Sequence, residues 1–161
     1  MTTFHERSFV APLTKNFKLF LCGVLAFVLV SVTLPVLIFG SQGSGDISQE
    51  SLISLIVGVA VALSLIPIIF SSTRIDLLDA SVKITTMKFF SKELAYSEIE
   101  NVEVGPVTGL VQGAGLRVLG GGNTGYLTGG PSVIFTLING SRVTASVRNP
   151  QHFLAMYQLA L

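Results

Sequence analysis

Two apolar segments decide the fold of this chain: LFLCGVLAFVLVSVTLPVLIF at residues 19–39 and SLISLIVGVAVALSLIPIIF at residues 51–70. They are 21 and 20 residues long, and neither contains Asp, Glu, Lys or Arg. At about 1.5 Å of rise per residue, each would form a helix roughly 30 Å long, which is the thickness of the hydrocarbon core of a bilayer. A soluble domain within 161 residues could not bury two such helices side by side. The sequence therefore predicts a transmembrane helical hairpin.

The composition divides the chain into three parts. Only 12% of all residues are charged, against about 25% in a typical soluble domain, and the deficit is greatest in the first 73 residues. We therefore expect an N-terminal tail at residues 1–18, the hairpin at residues 19–72 with helices at about 19–39 and 48–70, and a soluble domain at residues 73–161. The net charge of +1 gives no reason to expect nucleic acid as a partner.

The distribution of charge predicts an orientation for the hairpin. The loop between the helices holds Asp46 and Glu50 but neither Lys nor Arg. The flanking segments hold the basic residues Arg7, Lys15, Lys18, Arg74, Lys83, Lys88 and Lys92. Because positive charge accumulates on the cytoplasmic side of a membrane protein, we expect both termini in the cytoplasm and the loop outside.

Small residues recur along one face of the second helix. Ser54, Gly58 and Ala62 follow each other at intervals of four. Such a stripe allows a neighbouring helix backbone to approach closely. The neighbour is either the first helix of the same hairpin or a helix of a partner chain. The single cysteine, Cys22, lies in the first helix and has no partner for a disulfide or a metal.

Beyond residue 73 the continuous apolar pattern gives way to short alternating runs, which are typical of strands. We expect strands at residues 74–78 and 81–85, joined by an Asp79-Ala80 turn, and a meander that continues through 88–90 and 93–96. The next strand should point Ile99, Val102 and Val104 inward.

Residues 105–130 include ten glycines, so the burial of side chains contributes little stability there and the backbone can adopt many conformations. Short strands are expected around residues 116–119 and 125–128, and whether the segment is ordered stays open. The run at residues 120–125 lacks the Gly-Lys-Ser/Thr ending of a phosphate-binding loop. As candidate binding loops we take the positions Arg117, Gly121, Gly122, Asn123 and Tyr126.

Residues 132–148 predict a hairpin. A loop of Asn139, Gly140 and Ser141 would pair Leu137 with Val143 and Phe135 with Ala145, which keeps the apolar side chains on one face. Asn149 and Pro150 then match an N-cap and first helical position. Apolar residues at helical spacing follow, at Phe153, Met156, Tyr157 and Ala160. We therefore expect a C-terminal helix.

Groups that could perform catalysis are scarce. The predicted soluble domain has no cysteine and one histidine, His152, and its Glu98, Glu100 and Glu103 are expected on a solvated edge. Zinc binding is disfavoured by the lack of Cys and His. We expect no enzymatic activity, no cofactor and no metal; the alternative is a hydrolase or transferase that uses the glycine-rich loops.

Several short motifs resemble those of the bacterial pleckstrin-homology-like membrane proteins, a family of unknown function. They are LAYSEIENVEV at residues 94–104, Gly113-x-Gly-x-Arg117, Gly125-Tyr126, Asn139-Gly140 and Asn149-Pro150-x-x-Phe153. The resemblance implies an α+β protein of the bacterial cytoplasmic membrane. In it, a seven-stranded, two-sheet β-sandwich or barrel is closed at one end by the C-terminal helix.

The resemblance does not determine a function, because one fold serves many functions. Eukaryotic pleckstrin-homology domains bind phosphoinositides through basic residues around the first hairpin loop, where this chain has Asp79-Ala80, so we do not expect that ligand. We expect a non-enzymatic scaffold or binding module at the inner leaflet, which contacts the bilayer and either a membrane protein partner or copies of itself. The alternative is an accessory subunit of a membrane transporter or membrane enzyme.

Overall fold

The computed structural model describes residues 7–39, 49–109 and 112–161. Within these residues the chain forms two compact units, one of Lys18–Phe70 and one of Met1–Phe17 with Ser71–Leu161. We call them the helix unit and the sheet unit. The loop with Asp46, and the predicted start of the second helix at residue 48, lie outside the described residues.

The helix unit contains α1 (Lys15–Phe39) from Lys18 onward and the whole of α2 (Gln49–Ile69). Both are long and apolar enough to cross a membrane, as the sequence predicts. The first helix begins four residues before the predicted start at residue 19. Nothing after Pro12 breaks the helix, and the long stems of Lys15 and Lys18 can lie along an apolar surface while their charges stay in water.

The sheet unit contains nine strands and the C-terminal helix α3 among the described residues. The strands are β1 (Ser8–Pro12), β2 (Ser72–Leu77), β3 (Ser81–Thr86), β4 (Phe90–Ala95), β5 (Ile99–Thr108), β6 (Gly115–Gly120), β7 (Asn123–Leu127), β8 (Gly130–Leu137) and β9 (Arg142–Ser146); α3 spans Pro150–Ala160. One sheet has the order β1-β2-β3-β4 and the other β5-β8-β9-β7-β6. All pairs are antiparallel except β7 with β9.

The N-terminal segment corrects the expectation of a tail at residues 1–18. Ser8–Pro12 form β1, which pairs with β2 from Ser8 opposite Asp76 to Pro12 opposite Ser72. Phe9 packs edge-on against Phe153, with ring centroids 5.1 Å apart, and Ala11 is buried. Five residues that precede a long helix carry too weak a local signal for this pairing, because its partner lies about sixty residues away in the chain.

Two details of the meander also differ from the sequence prediction. The residues expected as a strand at 88–90 belong mainly to a turn, where Met87 and Lys88 have φ angles of 54° and 62°. Val104, expected to point inward, is 47% exposed. A register shift between Ile99 and Asn101 breaks the simple alternation along β5, so Ile99 and Val102 pack against the core although they are three residues apart.

The predicted hairpin at residues 132–148 has the expected faces but a different register. Phe135 pairs with Val143 and Val133 with Ala145, two residues away from the predicted partners. The loop consists of Ile138, Asn139 and Gly140, and the Leu137 N–H donates to Ser141 O at 2.9 Å. A shift of two residues preserves which side chains are buried, so the alternation of apolar residues could not distinguish the two registers.

One core joins both sheets and α3. It is built from β2, β3 and β4 on one side, β7, β8 and β9 on the other, and Phe153 and Tyr157 of α3. As predicted, α3 starts with Asn149 as N-cap, whose side-chain oxygen accepts from His152 N–H at 3.2 Å, and with Pro150 in its first turn. The sheet unit is therefore a two-sheet β structure with a C-terminal helix packed on its core.

Candidate functional site

The surface of the helix unit is apolar. In each of the two candidate spans only 6% of the residues are buried, and large side chains such as Phe27 (73%) and Leu63 (62%) are exposed. Contiguous apolar surface of this extent marks contact with lipid or with another protein. The two helices therefore present a surface suited to the interior of a bilayer.

The predicted small-residue stripe lies partly between the two helices. A Cβ atom at Gly58 would overlap Val32 Cγ2 of α1 and lie 3.1 Å from Val32 Cγ1. Ser54 is exposed and Ala62 half-buried. Ser54 and Gly58 line a shallow apolar groove of about 330 Å³, which Val32 and Phe27 of α1 line as well. Gly58 therefore allows close approach within the hairpin, while Ser54 stays accessible.

The five candidate binding-loop residues do not form one site. Tyr126 is 5% exposed in the middle of β7, and its carbonyl oxygen accepts from Thr73 Oγ1 at 3.3 Å. This corrects its place among the binding residues, because a buried core side chain cannot contact a partner. Asn123 is half-buried, and its Oδ1 accepts from Arg142 N–H at 3.0 Å. Asn123 therefore ties the β6–β7 turn to β9.

The other three candidates lie on an exposed hairpin. Gly121 and Gly122 form the β6–β7 turn with φ angles of 60° and 80°, a conformation that glycine adopts without strain. Arg117 is exposed on β6. The glycine-rich segment thus supplies a β-hairpin, and its ordered strands were predicted within two residues of their observed bounds.

Strand β6 carries the most accessible apolar side chains of this hairpin. Leu116, Val118 and Leu119 are 38%, 86% and 47% exposed. Strand β6 ends its sheet and pairs only with β7 among the described strands, so its other side is a free edge. We call residues 116–119 the β6 edge. The sequence indicated two short strands here but could not show which of them lies at the edge, since that depends on the order of strands in the sheet.

Two acidic residues of the sheet unit accept hydrogen bonds from within it. Glu93 Oε1 accepts from Ser81 Oγ at 2.6 Å, and Glu98 Oε2 accepts from Ala95 N–H at 3.2 Å. Both residues line an open groove of about 490 Å³ between the β4–β5 corner and the β8–β9 loop. Across the residues that the structure describes, His, Cys, Asp and Glu form no group of three that could hold a metal ion.

Burial raises the pKa of all three tyrosines above the ordinary value of 10.0. For Tyr96 the cation of Arg7 opposes this effect and Asp79 adds to it. Tyr96 Oη donates to Leu78 O at 2.9 Å, and its ring lies 5.8 Å from that of Tyr157. These hydroxyl groups therefore stay protonated at neutral pH and serve packing rather than proton transfer.

Comparison with models of protein families, with curated proteins and with solved structures gives no match for this chain. The resemblance to bacterial pleckstrin-homology-like proteins, which rests on short motifs, therefore stays a prediction.

Proposed function

We propose that this protein is a non-enzymatic, membrane-anchored binding module, in which α1 and α2 cross the bilayer and the sheet unit binds a protein partner or a second copy in the cytoplasm. The observation that carries the proposal is the pairing of β1 with β2. These two strands lie on either side of the apolar helices in the chain, yet they are neighbours in one sheet.

This pairing limits how the chain can cross a membrane. Residues 8–12 and 72–76 must be on the same side, because hydrogen-bonded neighbours in a sheet are about 5 Å apart. A chain that leaves the sheet after β1 and returns at β2 must cross an even number of times. Two crossings, one by each helix, satisfy this condition, and the basic flanking residues favour the cytoplasmic side for both ends. This supports a multi-pass protein of the bacterial cytoplasmic membrane with both termini inside.

We propose further that the sheet unit is a variant of the pleckstrin-homology-like sandwich. Two sheets that share one core and a C-terminal helix packed on that core support this assignment. The described residues form nine strands where the resemblance implies seven, and the β7–β9 pair is parallel. In this variant the membrane hairpin is inserted between the first two strands of one sheet.

The β6 edge is the surface that we propose for partner binding. An edge strand offers unpaired backbone N–H and C=O groups, and a partner strand can add to it while its side chains contact those of the edge. Val118, 86% exposed, is the best placed for such a contact. Arg117 on the same strand favours a partner segment with a carboxylate opposite it.

Site-specific photocrosslinking in intact membranes tests the proposal. A photoreactive residue at Val118 should capture a protein, whereas the same residue at Leu159, which is 77% exposed on α3, should capture much less. If the Val118 probe yields no adduct in membranes where the protein is fully inserted, the β6 edge is not a binding surface.

An accessory subunit of a membrane transporter or enzyme is the second candidate, which the exposed apolar faces of the helices favour. In that case a photoreactive residue at Leu63 of α2, 62% exposed, should capture a membrane protein. Capture at Leu63 without capture at Val118 would favour this candidate over binding through the sheet unit.

A further inference from the structure

The β3–β4 turn lies at the end of the sheet where the chain connects to the helices. The Met87 N–H donates to Ser72 O at 3.1 Å, and Thr86 pairs with Thr73. Ser72 follows Ile69, the last residue of α2, by three residues. The chain therefore enters β2 at the end of the sheet that carries the β3–β4 turn. We call this end of the sheet unit the helix-proximal end.

The turn itself presents aromatic side chains to its surroundings. Phe89 is 84% exposed and Phe90 44% exposed, whereas other aromatic residues of the sheet unit, such as Phe135 and Phe153, are fully buried. Met87 and Lys88 both have positive φ angles, which are uncommon for residues other than glycine. The Met87 side chain lies against Gly115. The turn is therefore held in a strained conformation that projects Phe89 outward.

Charge is distributed unevenly between the two ends of the sheet unit. The described residues of the helix-proximal turns, at 87–89, 109, 112–114 and 128–129, contain no Asp or Glu, and Lys88 lies in the first of them. The Arg117 guanidinium lies against Gly113, next to the same end. At the opposite end, the β2–β3 turn holds Asp79, which forms an ion pair with Arg7, and Glu98 lies between β4 and β5. The aromatic turn thus lies at the end where the described turns carry Lys88 and no acidic residue.

We propose that the β3–β4 turn, residues 87–90, is a second membrane contact: Phe89 and Phe90 enter the headgroup region of the inner leaflet, and Lys88 binds anionic lipid phosphates. Exposed aromatic and apolar side chains beside lysines are typical of interfacial membrane binding. The proposal rests on the proposed function, because it requires that α2 end at the surface of the bilayer. It adds that the sheet unit is held against the lipid at a defined face rather than only tethered to it.

Tryptophan fluorescence tests this contact cleanly, because the chain contains no tryptophan. Three single-tryptophan variants of the full chain are reconstituted in vesicles that contain phosphatidylglycerol: Phe89→Trp in the turn, Ile138→Trp in the β8–β9 loop at the opposite end, and Val59→Trp in the middle of α2. Each is measured with lipids brominated near the headgroup and with lipids brominated deep in the acyl chain. Circular dichroism confirms that each variant is folded.

We expect the Phe89→Trp emission to be shifted to the blue and quenched most by the shallow bromines, and the Ile138→Trp emission to stay red and unquenched. Replacing Lys88 by Glu in the Phe89→Trp chain should reduce both the shift and the quenching. Val59→Trp should be quenched by the deep bromines, which checks the membrane spans independently.

Two results would contradict lipid contact by the β3–β4 turn without contradicting the membrane spans. One is a red, unquenched Phe89→Trp emission. The other is a blue emission that no brominated lipid quenches, which would indicate burial of the side chain against protein. Loss of deep quenching at Val59→Trp would instead contradict the proposed function on which the contact rests.

Discussion

In the helix unit, Phe27 is 73% exposed and Leu63 62% exposed, whereas in the sheet unit Phe135 and Phe153 are fully buried. The same residue types thus face outward in one unit and inward in the other. In the helices apolar residues occur all around the axis, and in the strands they alternate with polar ones. A uniform apolar surface fits lipid, and an alternating one fits a core on one side and water on the other. The predictions below test this contrast, from the largest expected effect to the smallest.

The first prediction concerns the core of the sheet unit. Phe153→Ala should destabilise it by about 3–5 kcal/mol, because it leaves a cavity where Phe9, Phe135 and Tyr157 meet. Leu159→Ala, two turns away on the exposed side of α3, should change stability by less than about 0.5 kcal/mol. Chemical denaturation followed by the tyrosine signal measures both. Equal losses of stability in the two variants would contradict the packing of α3 on the core.

The second prediction concerns the helix unit, where a charge in the second span should disturb insertion into the membrane. Val59→Arg places a cation near the middle of α2, where insertion into a bilayer costs about 2.5–3.5 kcal/mol. Ile138→Arg, on an exposed loop of the sheet unit, should leave insertion unchanged. Carbonate extraction of membranes, followed by quantification of the chain in the pellet, compares the two. A Val59→Arg chain that resists extraction as well as the original would argue against α2 as a membrane span.

A matched pair of glycines tests the contact between the helices. Gly58→Leu should separate α1 from α2, since its side chain would overlap Val32, and overpacking costs about 1–3 kcal/mol. Gly23→Leu should be tolerated, because nothing lies within 4 Å of its Cβ position. Disulfide formation between Ser31→Cys and Ser54→Cys, in a Cys22→Ser background, measures how closely α1 and α2 approach each other. Undiminished crosslinking in Gly58→Leu would show that Gly58 does not set the helix spacing.

The smallest expected effect is a loss of stability at alkaline pH. The pKa values of Tyr96, Tyr126 and Tyr157 are raised by burial in the folded state. The unfolded chain therefore releases these protons first, near pH 10. The contribution of these tyrosines to the free energy of unfolding is fully present below about pH 10. It is lost as the pH rises through their pKa values in the folded state. Tyrosinate absorbance should therefore rise at a higher pH in the folded protein than in the denatured chain. Titration curves that coincide for the two states would contradict this prediction.

Sequence reasoning succeeded where the signal is local and strong. The absence of charge from residues 19–39 and 51–70 predicted two long helices, and Asn149-Pro150 predicted the start of α3. It failed where partners are distant in the chain. Five residues of β1 pair across a long insertion, and a two-residue register shift in the β8–β9 hairpin leaves every buried face unchanged.

The candidate site was less predictable than the fold. The glycine-rich composition drew attention to residues 105–130, and part of that segment, at residues 116–119, does form an exposed edge strand. Composition could not distinguish Tyr126, which packs in the core, from Val118, which is exposed, because both lie in short strands of the same hairpin. Strand order, which assigns the edge, arises only when the whole sheet assembles.

The central claim is that the chain crosses the bilayer twice and returns to the side from which it left. Cysteine labelling with a membrane-impermeant maleimide in intact bacterial cells tests it most directly, with Ser44→Cys between the helices and Leu159→Cys on α3, each in a Cys22→Ser background. We predict labelling of Ser44→Cys in intact cells and of Leu159→Cys only after the cells are opened. Labelling of Leu159→Cys in intact cells, or protection of Ser44→Cys until the cells are opened, would contradict the claim.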